Sequence, residues 1–141
     1  MSTRSEATSS DARPAVLGGV IPYLQIDGAS AAAEFYVRAF GAVEVFRHPV
    51  DEQGRTMHIH LYINNGSLML CDSYPEHGQP AEKPQGYTLT LPVDDADQWF
   101  ERAVAAGAEV LTPVQDMFWG DRYGEVRDRF GVRWAVNGPA K

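Results

Sequence analysis

The sequence has a single cysteine, no long apolar run and fewer basic than acidic residues. One cysteine excludes an internal disulfide framework and a cysteine-based zinc site. No stretch approaches the roughly 18 apolar residues that a transmembrane helix needs, which excludes a membrane-spanning protein. With 19 acidic and 12 basic side chains the formal charge is −7, and no basic stripe is present to bind a nucleic-acid backbone.

The beginning of the sequence also lacks the apolar stretch of a secretory signal. Residues 1–15 are rich in Ser, Thr, Ala and charged residues without periodicity, which predicts a disordered tail. The 141 residues, 44% of them hydrophobic, fit one compact domain or two small modules that share a core. We therefore expect a soluble, cytoplasmic protein with neither a membrane nor a nucleic acid as partner.

The two halves of the chain share a pattern of short apolar strand, Asp, amphipathic helix, Gly-Ala and further strands. Residues 24–42 align with residues 91–108, at an offset of 67 residues that falls to 66 after the helix. A near-constant offset of this kind indicates a duplicated supersecondary unit, β-α-β-β-β in each half. After the helices, strands are predicted at 43–48, 56–63 and 67–72 in the first half, and at 109–113, 122–128 and 132–137 in the second.

A segment rich in Pro and Gly separates the halves. Residues 72–86 contain three prolines and two glycines, which do not sustain a helix or an interior strand. The predicted organisation is a tail at 1–15, a first module at 16–75, a linker at 76–86 and a second module at 87–138.

Helix ends and turns have clear signals. Asp95 is placed to cap the second helix, and Gly41 and Gly107 follow the helices where a left-handed residue ends them most easily. Asn64-Asn65-Gly66 predicts a tight primed turn. The apolar stripes are Ala32, Phe35, Tyr36, Ala39 and Phe40 in the first helix, and Ala96, Trp99, Phe100, Ala103 and Val104 in the second.

Tandem βαβββ units of this length resemble the vicinal-oxygen-chelate superfamily of glyoxalase I, extradiol dioxygenases, fosfomycin-resistance proteins and bleomycin-binding proteins. Segments 21–27, 34–42, 68–72 and 119–134 are similar to its PhnB-like branch. The sequence differs from the family at Arg129, because the corresponding turn of the family, Asp-Pro-x-Gly, has a proline at this position. The resemblance implies an α+β fold whose tandem modules form curled mixed sheets with a concave pocket, and a homodimer that binds a small molecule.

In such a fold the helices cover the convex side of each sheet, so that strand alternation assigns the faces. Met57, Ile59 and Leu61 should pack against the helix. Their neighbours His58 and His60, with Glu125 from the second half, become the candidate acid/base residues. The candidate ligand-binding residues are Tyr23, Gln25, Tyr62, Met69, Cys71, Thr88, Thr90, Trp119, Tyr123, Arg127 and Arg133.

Metal-dependent members of the superfamily hold a divalent ion with His, Glu or Gln side chains. The resemblance places the corresponding positions at Ile21, Met69, Thr88 and Ala135, none of which suits a hard cation. No cofactor is therefore expected. An alternative is a divalent metal held by His58, His60 and Glu125. The simpler interpretation is that the two histidines line a polar pocket.

Some candidates have simpler structural interpretations. Cys71 fits a small pocket or core residue as well as a nucleophile. Trp119, in an aromatic loop, fits either a pocket cover or a dimer contact. Glu125 and Arg127 are close enough in sequence on one face to form an ion pair with each other.

Three functions fit these features. The first is a metal-free binding protein that sequesters an antibiotic or another aromatic or cationic ligand, with tyrosine and tryptophan rings for stacking. The second is a metal-free isomerase or lyase that uses His58 or His60 with Glu125 as acid and base, and Arg127 to hold an anion. The third, a metal-dependent lyase or dioxygenase, is disfavoured by the missing ligands.

Overall fold

Two four-stranded mixed sheets, each with one helix, form the part of the chain that the computed structural model describes, residues 13–141. The first module contains β1 (Tyr23–Gln25), α1 (Ala29–Phe40), β2 (Val43–Arg47), β3 (Ile59–Ile63) and β4 (Gly66–Cys71). The second contains β5 (Leu89–Pro92), α2 (Ala96–Ala105), β6 (Glu109–Asp116), β7 (Asp121–Arg127) and β8 (Arg133–Pro139). The predicted α+β class and the β-α-β-β-β order of both modules are confirmed.

Both sheets have the same topology. The strand orders are β1-β4-β3-β2 and β5-β8-β7-β6, with the first strand of each module parallel to its last and the other pairs antiparallel. Within residues 13–141 no helix is long and apolar enough to cross a membrane.

The core joins the two modules through α1. The indole ring of Trp134, on β8, lies 5.0 Å from the Tyr36 ring and 4.7 Å from the Phe40 ring, measured between centroids. The Tyr36 hydroxyl donates to Asp128 at 2.7 Å, and the Trp134 indole N–H donates to the same carboxylate at 3.0 Å. Because these groups come from both modules and are buried, the two modules share one core.

The N-terminus of α1 is capped from a distance. One oxygen of Asp72 accepts from the backbone N–H groups of Gly28 and Ala29 at 2.9 and 3.0 Å, and the other accepts from Thr56 N–H at 2.8 Å. No local pattern indicates this cap, because Asp72 lies 43 residues beyond Ala29. The predicted cap of α2 is confirmed, since the Asp95 side chain accepts from Gln98 N–H at 3.1 Å.

The predicted tight turn is confirmed, whereas two predictions of side-chain packing are wrong. Asn64 and Asn65 both have positive φ angles, 49° and 67°, as a primed turn requires. The Met57 side chain does not pack against α1 and is 57% exposed, because β3 begins only at Ile59 and Thr56 is the buried residue before it. Val104, at the end of the α2 stripe, is 37% exposed rather than buried.

Candidate ligand-binding faces

The first face is the side of the first sheet that points away from α1. Ile59 and Leu61 are fully buried in the core cluster, so the alternating residues of β3 lie on the opposite side. Strand register places the neighbouring side chains beside them, with His60 opposite both Phe46 and Met69, and Tyr23 opposite Met69. The first face comprises Tyr23, Phe46, His58, His60, Tyr62, Met69 and Cys71.

Aromatic rings surround His58 on the first face. Its ring centroid lies 5.5 Å from that of Tyr23 and 5.8 Å from that of Phe46. The Tyr23 hydroxyl and His58 Nδ1 share a hydrogen bond of 2.8 Å, which fixes the orientation of the imidazole. Phe46 is not among the ligand-binding residues that the sequence predicts, and a bulge in the β2–β3 pairing between Glu44 and Phe46 interrupts simple alternation along β2.

The titratable groups of the first face are shifted toward their neutral forms. Burial lowers the pKa of His58, with smaller effects from His60, His48 and Arg13, and burial alone lowers the pKa of His60. Burial also raises the pKa values of Tyr23 and Cys71. The first face is therefore uncharged near neutral pH, and Cys71 is a thiol rather than a nucleophilic thiolate.

His60 lies beneath the N-terminal segment, residues 13–17. Its side chain is only 3% exposed, and its Nε2 shares a 2.7 Å hydrogen bond with Ser67 Oγ, which also accepts from Leu17 N–H at 2.8 Å. The Tyr62 hydroxyl donates to the Ala15 carbonyl at 2.7 Å. A cavity of about 120 Å³ remains between segment and sheet, lined by Arg13, Pro14, Val16, Phe46, His58, His60 and Met69.

The last residues of the predicted N-terminal tail, 1–15, lie against the first face. Residues 1–12 lie outside the described part of the chain, whereas residues 13–15 contact the first face. The hydrogen bonds of this segment join the Ala15 carbonyl to Tyr62 and the Leu17 N–H to Ser67, and contacts with residues so far along the sequence leave no local sequence signal.

The second face is the side of the second sheet that points away from α2. Gly124 on β7 faces α2 so closely that an added Cβ would lie 2.9 Å from the Phe100 ring, so its neighbours point the other way. Strand register then groups the second-face residues Thr90, Tyr123, Glu125, Arg127, Arg133, Ala135 and Asn137.

Tyr123 and Glu125 form a hydrogen-bonded pair on this face. The Tyr123 hydroxyl donates to Glu125 Oε2 at 2.7 Å, and burial together with the Glu125 carboxylate raises the pKa of Tyr123 to about 12. Within residues 13–141 Glu125 forms no ion pair with Arg127. The Trp119 ring, on the β6–β7 loop, lies 5.7 Å from that of Tyr123, edge to face, and is 48% exposed.

Glu125 does not line the cavity at His58 and His60. The cavity at the histidines is lined by residues of the first module and the segment before it, whereas Glu125 lies on the second sheet. Within residues 13–141 no group of three or more His, Cys, Asp or Glu side chains is arranged to hold a metal ion. The apolar side chains of Met69 and Ala135 do not fit a hard cation.

Three more predicted ligand-binding residues, Thr88, Thr90 and Gln25, have contacts outside the cavity at His58 and His60. Thr88 and Thr90 line a groove of about 370 Å³ between β5 and the segment before β1, together with Val20 and Pro22. The Gln25 amide donates to the Pro80 carbonyl at 2.7 Å, so that it ties β1 to the linker.

Comparison with known proteins shows which family this sequence matches. Residues 20–136 match the sequence model of the Glyoxalase/Bleomycin resistance protein/Dioxygenase superfamily. An uncharacterised protein of Mycobacterium bovis is 41% identical over 126 residues, which cover 85% of this chain and 82% of that protein.

Solved structures share the fold. Protein PA1353 from Pseudomonas aeruginosa superposes with a TM-score of 0.71 at 29% identity, over 86% of this chain and 98% of that one. The PhnB protein from Bacillus cereus superposes with a TM-score of 0.61 at 21% identity, over 84% of this chain and 98% of that one.

Proposed function

Because the chain belongs to the Glyoxalase/Bleomycin resistance protein/Dioxygenase superfamily, we propose that it is a metal-free protein that binds a flat aromatic small molecule on the first face, as antibiotic-sequestering proteins do. The observation that carries this proposal is the ring cluster of Tyr23, Phe46 and His58 beside a cavity. Rings held at fixed positions stack on a planar ligand at little entropic cost.

The neutral titratable groups of the first face support an uncharged aromatic ligand, and Arg13 is the cationic side chain that lines the cavity beside them. Both histidines have lowered pKa values, and neither Tyr23 nor Cys71 ionises near neutral pH. A cation over an electron-rich ring face gains further attraction, and the net charge of −7 attracts cations from solution.

Isothermal titration calorimetry with bleomycin, the compound in the superfamily's name, tests this proposal on protein dialysed against a chelator. We expect saturable binding that Phe46→Ala weakens at least tenfold, because a stacked ring contributes about 0.5–1.5 kcal/mol beyond its buried area. Val37→Ala, which trims an exposed apolar side chain on α1, is the matched control. Equal affinities in wild type and Phe46→Ala would contradict the proposal.

A metal-free isomerase or lyase is the second candidate function. The 2.8 Å bond from Tyr23 to His58 Nδ1 orients this imidazole and leaves Nε2 for proton transfer with a ligand. A His58→Gln variant that still binds ligand but no longer converts it would favour this candidate, whereas unchanged ligand recovered from wild-type protein would favour binding alone.

We further propose that the protein is a homodimer. Phe118 and Trp119, at the tip of the β6–β7 loop, are 97% and 48% exposed, and large rings are rarely so exposed unless a partner covers them. Light scattering should give twice the chain mass, and Phe118→Ser should shift the equilibrium toward monomer.

A further inference from the structure

We propose that a second site, between the linker and the second face, binds the oxyanion group, phosphate or carboxylate, of a small molecule. The site is a cavity of about 430 Å³ in which three cationic side chains meet: Lys83 from the linker, Arg127 from β7 and Arg133 from β8. It shares no lining residue with the cavity at His58 and His60, so the inference does not depend on the function proposed for the first face.

The two arginines stand directly opposite each other in the sheet. Arg127 pairs with Arg133 in the β7–β8 register, and both side chains point away from α2. Like charges in directly opposed positions destabilise a sheet. A bound anion between the two guanidinium groups would turn this unfavourable pair into a favourable one.

Carboxylates lie near these three cations, but none in the described part of the chain forms an ion pair with them. Within residues 13–141 none of the three cations forms an ion pair, although Glu109 stands opposite Arg127 on β6 and Glu82 precedes Lys83. Three unpaired cations in one cavity are notable in a chain of charge −7.

The two carboxylates closest in sequence to the arginines are already engaged. Glu125 accepts from the Tyr123 hydroxyl. Asp128 is buried, and its two oxygens accept from Tyr36, Trp134 and the N–H groups of Phe130 and Val132. An external anion would therefore meet guanidinium groups whose neighbouring carboxylates have other partners.

The geometry of Arg133 suits an oxyanion. Its Nε–H donates to the Tyr87 carbonyl at 3.3 Å, which leaves the two terminal nitrogens as its remaining donors. A guanidinium fork of this kind matches the spacing of carboxylate and phosphate oxygens. Tyr87, 40% exposed, also lines the cavity and offers a ring beside the anion.

Calorimetric titration with inorganic phosphate, phenyl phosphate and benzoate at low ionic strength tests the site. We expect saturable binding of at least one of these probes, weakened about tenfold or more in Arg127→Gln/Arg133→Gln, because hydrogen bonds to charged groups are the strong ones at such a site. Arg38→Gln, which removes one positive charge from the exposed surface of α1, should change the affinity less than about twofold. Arg133→Lys keeps the charge but loses the fork and should give an intermediate affinity.

Three results would overturn the inference: no saturable binding of any probe to wild type, equal affinity in the double variant, or an equal loss in Arg38→Gln. Thermal unfolding of each variant verifies the fold. Inorganic phosphate has no ring that could stack on the first face, so its binding reports on this site alone. Failure at this site therefore leaves bleomycin binding at the first face untouched, and failure at the first face leaves this site untouched.

Discussion

At the scale of single residues, His60 illustrates what alternation along a strand predicts and what it does not. Alternation predicts the side of the sheet on which His60 lies, and the structure places it there, opposite Ile59 and Leu61. It does not predict the 3% exposure, because that depends on Leu17, Ser67 and the N-terminal segment, which approach from distant parts of the sequence. Met57 shows the complementary error, because it lies two residues before the first residue of β3 and strand alternation does not hold there.

The lowered pKa values of the two histidines predict how the stability of the folded protein changes with pH. Below the ordinary pKa of 6.5 the unfolded chain binds more protons than the folded protein, so the stability falls as the pH decreases through that value and is fully present above it. We expect the thermal unfolding midpoint to decrease between pH 7.5 and about pH 5. The unfolding midpoint of a His60→Gln variant should decrease less steeply than that of wild type, whereas the exposed-residue control His77→Gln should follow the wild-type curve. Identical slopes in all three proteins would contradict the conclusion that burial of His60 contributes to this pH dependence.

At the scale of elements, side chains that are distant in the sequence can cap a helix where no local sequence pattern predicts a cap. Asp95 caps α2 from the adjacent residue, and the sequence predicts it. Asp72 caps α1 from the end of β4, where it follows a strand and begins a segment rich in Pro and Gly. Local composition therefore assigns Asp72 to a linker, although its carboxylate joins α1, β4 and the stretch before β3.

Removal of the Asp72 carboxylate should destabilise the protein strongly. Asp72→Ala leaves three backbone N–H groups without their acceptor, and we expect a loss of about 2–4 kcal/mol in the free energy of unfolding. Asp95→Ala should cost about 1 kcal/mol, and the exposed Asp94→Ala less than about 0.5 kcal/mol. Urea denaturation measures all three; a similar small loss for Asp72→Ala and Asp94→Ala would show that the distant cap contributes little.

The N-terminal segment should determine the environment of His60. Deletion of residues 1–16 removes the Ala15 carbonyl and the residues that cover the cavity at His60. We expect the pKa of His60 to rise toward 6.5 in histidine NMR titrations, because less burial favours the protonated form. Tyr62→Phe, which removes only the hydroxyl that binds Ala15, should give a smaller change in the same direction. An unchanged titration in the deletion variant would mean that other contacts bury His60.

At the scale of the whole molecule, the repeat predicts the fold and leaves the site undetermined. The near-constant offset between the halves identifies two βαβββ units, because strand and helix patterns are local and the repeat doubles each signal. It does not determine how the two sheets are placed, so it cannot predict that His58 and Glu125 lie on separate faces. That separation gives the protein an uncharged, ring-lined first face and a second face with two opposed arginines.

The central claim is that the first face binds an aromatic ligand without a metal, and NMR of the assigned Tyr23, Phe46 and His58 ring signals tests it most directly. Bleomycin is titrated into chelator-treated protein, and the shifts are followed on both faces. The account predicts saturable shifts that are largest at these three rings and that remain unchanged after a divalent metal is added. Shifts that appear only with the metal, or that centre on α1 and spare the first face, would contradict it.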